Sequence, residues 1–452
     1  MFTALLSGGS GKRLWPLSND LRSKQYIKLI NSEYSDKICS MVQRVWEQLT
    51  YNEMEKNSVI TASAGQVEII KSQLGDINIA VEPDRRDTFP AVVLTCAYVK
   101  DHMGATDDDV IAILPVDPYT ENKYFETVKS LEKCLIDSNA DIAIMGVVPT
   151  EPSTKFGYVI TEGNDSNIGY SKVIRFKEKP DEASAKKLVE CGAYWNCGVF
   201  CFKIGYILKL VEKYGVEPSY DYIYNNYKKL PAISFDYEVM EKAQNIVLAE
   251  FNGLWEDLGT WNSLAEHMQA DTFGNVISDG HSVNTTVINE VNIPVVTIDL
   301  KDLIVVSTFD GILISSKEKS YVIKDLLKNS KLPCMYEERI WGTIKTIDIS
   351  ETDDGFTLFR KNMMFAGKSS SYHYHSERDE TITILKGRGE MIIEGVRLNL
   401  SQGTTITIPR EKKHGIRAFS DLEYMEIHMG KRIGDNDINR ITFDWNEILF
   451  QK

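Results

Sequence analysis

The apolar run Phe2-Thr3-Ala4-Leu5-Leu6 passes directly into Ser7-Gly8-Gly9-Ser10-Gly11 and then into Lys12-Arg13. A mostly apolar run of five residues leading into a glycine-rich stretch predicts a buried strand followed by a tight turn. Glycines without Cβ let backbone N–H groups approach an anion, so the turn suits phosphate. Arg13 can clamp two phosphate oxygens with its planar fork, and Lys24 can add a point charge. Two familiar glycine loops are excluded. A P-loop needs glycine where Leu6 stands and Ser or Thr where Arg13 follows the lysine. A dinucleotide fingerprint needs a third glycine where Leu14 stands.

A chain of 452 residues has room for two or three domains. Its net charge of −14 argues against nucleic acid as a partner, so any phosphate site must be a local basic pocket. Seven cysteines, none in CxxC spacing, support neither a disulfide framework nor a zinc ribbon. Reduced thiols in the cytosol, a cytoplasmic protein, are the expectation. A strand starting at residue 2 leaves no room for a signal peptide, and no apolar run approaches the ~20 residues of a membrane helix, so no membrane partner is expected.

From residue 1 to 268 strands and helices alternate. Val110 to Leu114, Ile142 to Val148, Val199 to Phe202 and Ile246 to Leu248 read as strands. Tyr119 to Ile136 has helical spacing, with Phe125, Val128, Leu131 and Leu135 on one face. Alternation of this kind predicts an α/β fold with a mostly parallel sheet covered on both faces. Ligands then sit beyond the carboxyl ends of the strands, where the glycine turn and Asp117 both fall. From 269 to 334 helical spacing disappears, and short runs such as Thr286-Val287-Ile288 recur between turns. This segment reads as a β-rich spacer, a partial β-helix. From 335 to 452, short strands with glycines at roughly ten-residue intervals predict an all-β barrel.

The stretch Gly8-Gly9-Ser10-Gly11-Lys12-Arg13-Leu14-Trp15-Pro16-Leu17-Ser18, with Lys24-Gln25 after it, resembles the sugar-phosphate nucleotidyltransferases. More narrowly, it is similar to the bacterial mannose-1-phosphate guanylyltransferases that carry a C-terminal cupin. Further stretches match that family. Glu82-Pro83-Asp84-Arg85-Arg86-Asp87-Thr88 resembles the loop at base and triphosphate, with Glu82, Arg86 and Thr88 as nucleotide contacts beside Gly8, Gly9, Gly11 and Lys12. Read by itself, that stretch is a helix start capped by Asp87 or Thr88, and the two readings are compatible. Asp117 and, in Trp255-Glu256-Asp257, Asp257 match the family's metal-binding aspartates, which implies Mg²⁺. Pro118 stands where the family often has His. Glu178-Lys179-Pro180 and Asn196-Cys197-Gly198, together with Gly157, match its sugar-phosphate contacts. The resemblance implies a Rossmann-like nucleotidyltransferase domain that joins GTP to mannose-1-phosphate, with Arg13, Lys24, Asp117 and Asp257 as the catalytic set.

Four of the seven histidines lie in the last eighty residues. His373, His375, Glu380 and His414 have the spacing of the two cupin motifs, although Glu411 replaces a usual glycine and Ala418 a usual asparagine. Residues two apart on a strand share a face, so His373 and His375 can both point inward. Two imidazoles, a carboxylate and a third imidazole suit a divalent transition metal such as Zn, Mn, Fe, Co or Ni. His428 lies outside the motif and reads as structural. In the resembled bifunctional proteins this barrel interconverts mannose-6-phosphate and fructose-6-phosphate, and Arg440 matches the arginine that serves the substrate. Here His373 replaces the family's Gln and its extra histidines are absent. An isomerase and a metal-binding or structural cupin both remain open. Two alternatives to the guanylyl reading stand as well: the same fold on another sugar phosphate or nucleotide, and a non-catalytic sugar-nucleotide binder. A homo-oligomer is the expected assembly.

Overall fold

The computed structural model describes residues 1–8, 12–163, 169–268, 270–330, 332–353, 355–431 and 437–448. The chain divides into two compact units. The first comprises Met1–Gly11, Ser23–Val67 and Leu74–Gln269; the second comprises Lys12–Arg22, Glu68–Gln73 and Ala270–Lys452.

The first unit is built on a nine-stranded sheet. Strands Ile79–Glu82, Ser58–Ser63, Phe2–Leu6 and Val110–Pro115 run parallel at one side. Tyr194–Lys203 is next and runs antiparallel to both its neighbours, Val110–Pro115 and Ile142–Val147. Ile142–Val147 pairs in parallel with Ile246–Phe251, and Ser171–Lys177 and Gly157–Thr161 complete the edge. The apolar runs form strands because both faces are covered: Val110 through Leu114 are all buried. Each such side chain contributes about 1.5–3 kcal/mol relative to exposure, against the entropy of ordering it.

The helix Thr88–Met103 is buried along most of its length, from Phe89 to Ala97. It starts where the Asp87 carboxylate accepts from the Thr88 N–H and stops at Gly104, whose φ of 77° suits glycine. One helix begins later than its spacing suggests. Lys123–Ser138 carries the expected face, with Phe125, Val128, Leu131 and Leu135 buried, but Pro118–Thr120 forms a short strand instead. That strand pairs antiparallel with Trp255–Asp257, a long-range partner that local periodicity does not reveal.

In the second unit, Thr272–Gly274, Thr286–Asn289 and Leu303–Thr308 stack in parallel, as do Val276–Ser278 and Val295–Thr297. This is the short-strand stacking expected of the spacer. Beyond it, a six-stranded and a five-stranded antiparallel sheet share a core of Met364, Ile382, Ile384, Met391, Leu400, Ile408, Ile416 and Leu422. Lys12–Arg22 joins this unit through the buried Arg22, which pairs with Glu290 at 2.9 Å and Glu338 at 3.5 Å. Among the described residues, no helix is long and apolar enough to cross a membrane.

Candidate functional site

A cavity of about 410 Å³ opens at the carboxyl ends of the parallel strands. Gly8, Glu82, Asp117, Gly198 and Asp236 are among its lining residues. Strand Phe2–Leu6 delivers the chain to Ser7, which is held by Gln25 and Tyr26: Gln25 Nε2 donates to the Ser7 carbonyl, and the two hydroxyls of Ser7 and Tyr26 are 2.5 Å apart. The same 3-10 turn, Lys24–Tyr26, presents Lys24. Its Nζ lies 2.6 Å from Oδ2 of Asp117 and 3.6 Å from Oδ1 of Asp257. The two aspartates come together because Pro118 pairs with Asp257 across the short ribbon. Arg44, fully buried, braces that ribbon by donating to the Thr120 carbonyl and stacking 4.0 Å over the Tyr119 ring.

Glu82 ends its strand buried, accepts from the Tyr227 hydroxyl at 2.8 Å, and has its pKa raised by burial. Arg86 donates to the Leu230 carbonyl through Nε at 3.2 Å and Nη2 at 2.9 Å. Thr88 accepts from the Phe235 N–H at 2.8 Å. The helix-cap reading of this stretch holds through Asp87, and Glu82, Arg86 and Thr88 line the cavity.

The other predicted contacts meet near Asp236. Asn196 donates to Asp236 at 2.8 Å and accepts from the Gly198 N–H at 3.1 Å. Gly198, at φ 74°, sits in the bulge between Asn196 and Phe200. Lys179 pairs with the buried Glu178. A Cβ added to Gly157 would stand 2.5 Å from Oε2 of Glu178, so any larger residue there must displace that carboxylate. Burial, then the charge of Glu178, push Asp236 up to about 6. Arg13 lies in the 3-10 turn Lys12–Leu14 with its side chain exposed, and that turn packs with the second unit. Gly9, Gly11 and the Lys12 side chain lie outside the described residues.

In the second unit, His373, His375 and His414 each bring one ligand atom within 4.8 Å of the others. Their Nδ1 atoms donate at 2.9 Å to the carbonyls of Ser371, Asp437 and Lys412 respectively. The Nε2 lone pairs are thereby turned inward, the arrangement metal-binding imidazoles use. Glu380 faces them, with Oε1 2.9 Å from His375 Nε2 and Oε2 3.2 Å from His414 Nε2. Burial works to raise the Glu380 carboxyl, but the facing imidazoles of His375, His414 and His428 outweigh it and hold it low. Burial and the neighbouring His414 and His375 push His373 down to about 3. A cavity of about 120 Å³ lies here, lined also by Arg440, which pairs with His373 across adjacent strands. His428, outside the motif and read as structural, stands next to this cluster: Leu422–Gly430 pairs with Arg378–Lys386 and sets His428 Nε2 3.2 Å from Glu380 Oε1.

The family model described as nucleotidyl transferase matches residues 3–273. The chain belongs to the nucleotidyl transferase family. A second model, the cupin domain, matches residues 363–428. The mannose-1-phosphate guanylyltransferase of Klebsiella pneumoniae is 27% identical over 98% of this chain and 98% of its own length. The alginate biosynthesis protein AlgA of Pseudomonas syringae pv. tomato is 26% identical over 97% and 95%. A solved structure from Thermus thermophilus, named mannose-1-phosphate geranyltransferase, is 25% identical with a TM-score of 0.59, covering 72% of this chain and 98% of that one.

Nucleotidyl transferases use a divalent metal, and cupin domains bind transition metals. The residues fit both. Oδ1 of Asp257 is buried and accepts no hydrogen bond, with the Lys24 ammonium 3.6 Å away. The three inward Nε2 atoms make the corresponding nitrogen set in the cupin. Sequence reasoning missed Asp236 and Tyr227 in this nucleotidyl transferase. Ser234-Phe235-Asp236-Tyr237 carries no spacing signal, and its five-residue π-turn, Asp236–Met240, is visible only in the fold.

Proposed function

We propose that this enzyme transfers a guanylyl group from GTP to mannose-1-phosphate, giving GDP-mannose and pyrophosphate. The observation that carries the reading is Lys24 set between Asp117 and Asp257, with Asp117 lining the same cavity as Gly8 and Glu82. An oxygen of the sugar phosphate attacks the α-phosphorus in line; the new P–O bond forms as the bond to the β-phosphate oxygen breaks, and pyrophosphate leaves with that electron pair. No covalent nucleophile on the protein is needed. The chain has to align two anions and offset their repulsion.

Gly8, Gly9, Gly11, Lys12 and Arg13 receive the triphosphate, and Lys24 offsets charge developing at the α-phosphate. Glu82, fixed by Tyr227, accepts from the amino and imino groups of guanine, with Arg86 and Thr88 shaping the same wall. Lys179 meets the sugar phosphate, while Glu178, Asn196 and Asp236 take sugar hydroxyls over Gly157 and Gly198. Asp117 and Asp257 would hold Mg²⁺, which when bound screens the phosphates. The names of the full-length relatives support this choice of substrates.

The cupin supports a second activity, interconversion of mannose-6-phosphate and fructose-6-phosphate. His373, His375, His414 and Glu380 would hold its divalent transition metal, and Arg440 would take the sugar's phosphate. The assembly we expect is a homo-oligomer; Ile312 and Ile314, 67% and 69% exposed on the outer face of Gly311–Ser316, are consistent with a covered surface.

The deciding experiment is pyrophosphate release by purified protein with Mg²⁺, mannose-1-phosphate and each NTP in turn. Release with GTP, abolished in Asp117→Asn, is the expected result. Release only with another pair would keep the reaction and replace the substrate. No release from folded protein would favour a non-catalytic binder. Interconversion of the two hexose 6-phosphates by metal-loaded protein tests the cupin separately.

A further inference from the structure

Behind the three-histidine set lies a second group of metal-ligating atoms. Glu380, Glu426 and His428 each offer one atom within 4.8 Å of the others. His428 Nε2 is 3.2 Å from Glu380 Oε1 and 3.2 Å from Glu426 Oε2. The three residues converge because two paired strands carry them. Glu380 lies opposite His428 in the register of Arg378–Lys386 with Leu422–Gly430, and Glu426 is two residues before His428 on the same face.

The local hydrogen bonding is incomplete. His428 is 1% exposed, yet neither ring nitrogen makes a hydrogen bond of acceptable geometry. Asn362 donates through Nδ2 to Glu426 Oε2 at 2.8 Å, while its own Oδ1 is buried and accepts nothing. Buried imidazole nitrogens and amide oxygens are rarely left this way in a region with no ligand to bind. Glu380, Glu426 and His428 together offer two carboxylates and an imidazole nitrogen, a donor set that suits a borderline divalent ion such as Mn²⁺, Co²⁺ or Zn²⁺. Arg378 Nε also reaches Glu380 Oε1 at 3.1 Å, but a carboxylate oxygen has two lone pairs and can serve both.

We propose that the cupin holds two divalent ions, the second bound by Glu380, Glu426 and His428, with Glu380 bridging it to the three-histidine ion. Glu380 is suited to bridge because its Oε2 faces His414 while its Oε1 faces both His375 and His428. The inference is independent of the transferase reading.

The test is made on the full chain carrying Asp257→Asn, so that the transferase carboxylates contribute no ion. The protein is stripped with chelator, loaded with Mn²⁺ and freed of excess metal; bound manganese is then counted and its EPR spectrum recorded. Two ions per chain with an exchange-coupled spectrum are expected. Adding His428→Gln or, separately, Glu426→Gln should leave one ion and the spectrum of an isolated centre, with circular dichroism confirming that at least one of the two variants is folded. One ion per chain before these substitutions, located by anomalous diffraction at the three histidines, would overturn the second site and leave the first. Two ions persisting in folded His428→Gln would also overturn it, and no ion at either position would overturn both.

Discussion

The hydroxyl of Tyr227 donates to Oε1 of Glu82 at 2.8 Å, tying a turn late in the first unit to the end of an early strand. Without that donor, a buried carboxylate whose pKa burial already raises would lose its one fixed orientation. Tyr227→Phe is expected to cost about 1–3 kcal/mol in nucleotide binding. Steady-state kinetics should show KM for GTP about tenfold higher with kcat nearly unchanged. An unchanged KM would mean that Glu82 does not touch the base.

Lys24 offers a sharper test of charge stabilisation, because its ammonium stands against both Asp117 and Asp257. Lys24→Ala removes a cation from the reacting phosphates, and kcat should fall by about a hundredfold or more. The melting temperature should move by only a few degrees, since Lys24 is part-exposed and a single ion pair of this kind contributes little. Pyrophosphate release and thermal denaturation on the same sample separate the two effects.

At Gly157 the constraint is steric. A methyl group would meet Glu178 Oε2 at 2.5 Å and the Phe176 ring at 3.1 Å. Gly157→Ala should therefore displace the Glu178 carboxylate and raise KM for the sugar phosphate tenfold or more, leaving KM for GTP within about twofold. Equal rises in both constants would point instead to a general disturbance of the sheet edge.

Asp236 gives a pH dependence with a definite sign. Its folded pKa of about 6 lies above the unfolded value of about 3.9, so the folded state binds the proton more tightly. Its contribution to stability is fully present below pH ~4 and is lost as pH rises to about 6. Asp236→Asn, which can still accept from Asn196, should abolish that loss and stabilise the ligand-free protein at pH 7 by on the order of 1–3 kcal/mol. Sugar-phosphate affinity should fall in the same variant. Denaturant melts at pH 4, 5, 6 and 7 read the first effect, and a fall in wild-type stability over that range that Asp236→Asn leaves unaltered would show that other groups carry it.

Much of this was legible locally. The run before Gly8, the buried face of Lys123–Ser138 and the alternating strands near 380–430 are patterns within a few residues of one another, and local windows capture them. The cupin histidines were legible for the same reason, since His373 and His375 are two apart. By itself the sequence determined the order of an α/β unit, a stacked short-strand segment and a β-barrel, because hydrophobic period is a local property of the chain. Only the tertiary structure decided which distant groups meet: Lys24 with Asp117 and Asp257, Tyr227 with Glu82, Asn196 with Asp236, and His428 with Glu380. Those meetings depend on sheet order and strand register, which place residues tens to hundreds apart in contact and leave no period in the sequence to announce it.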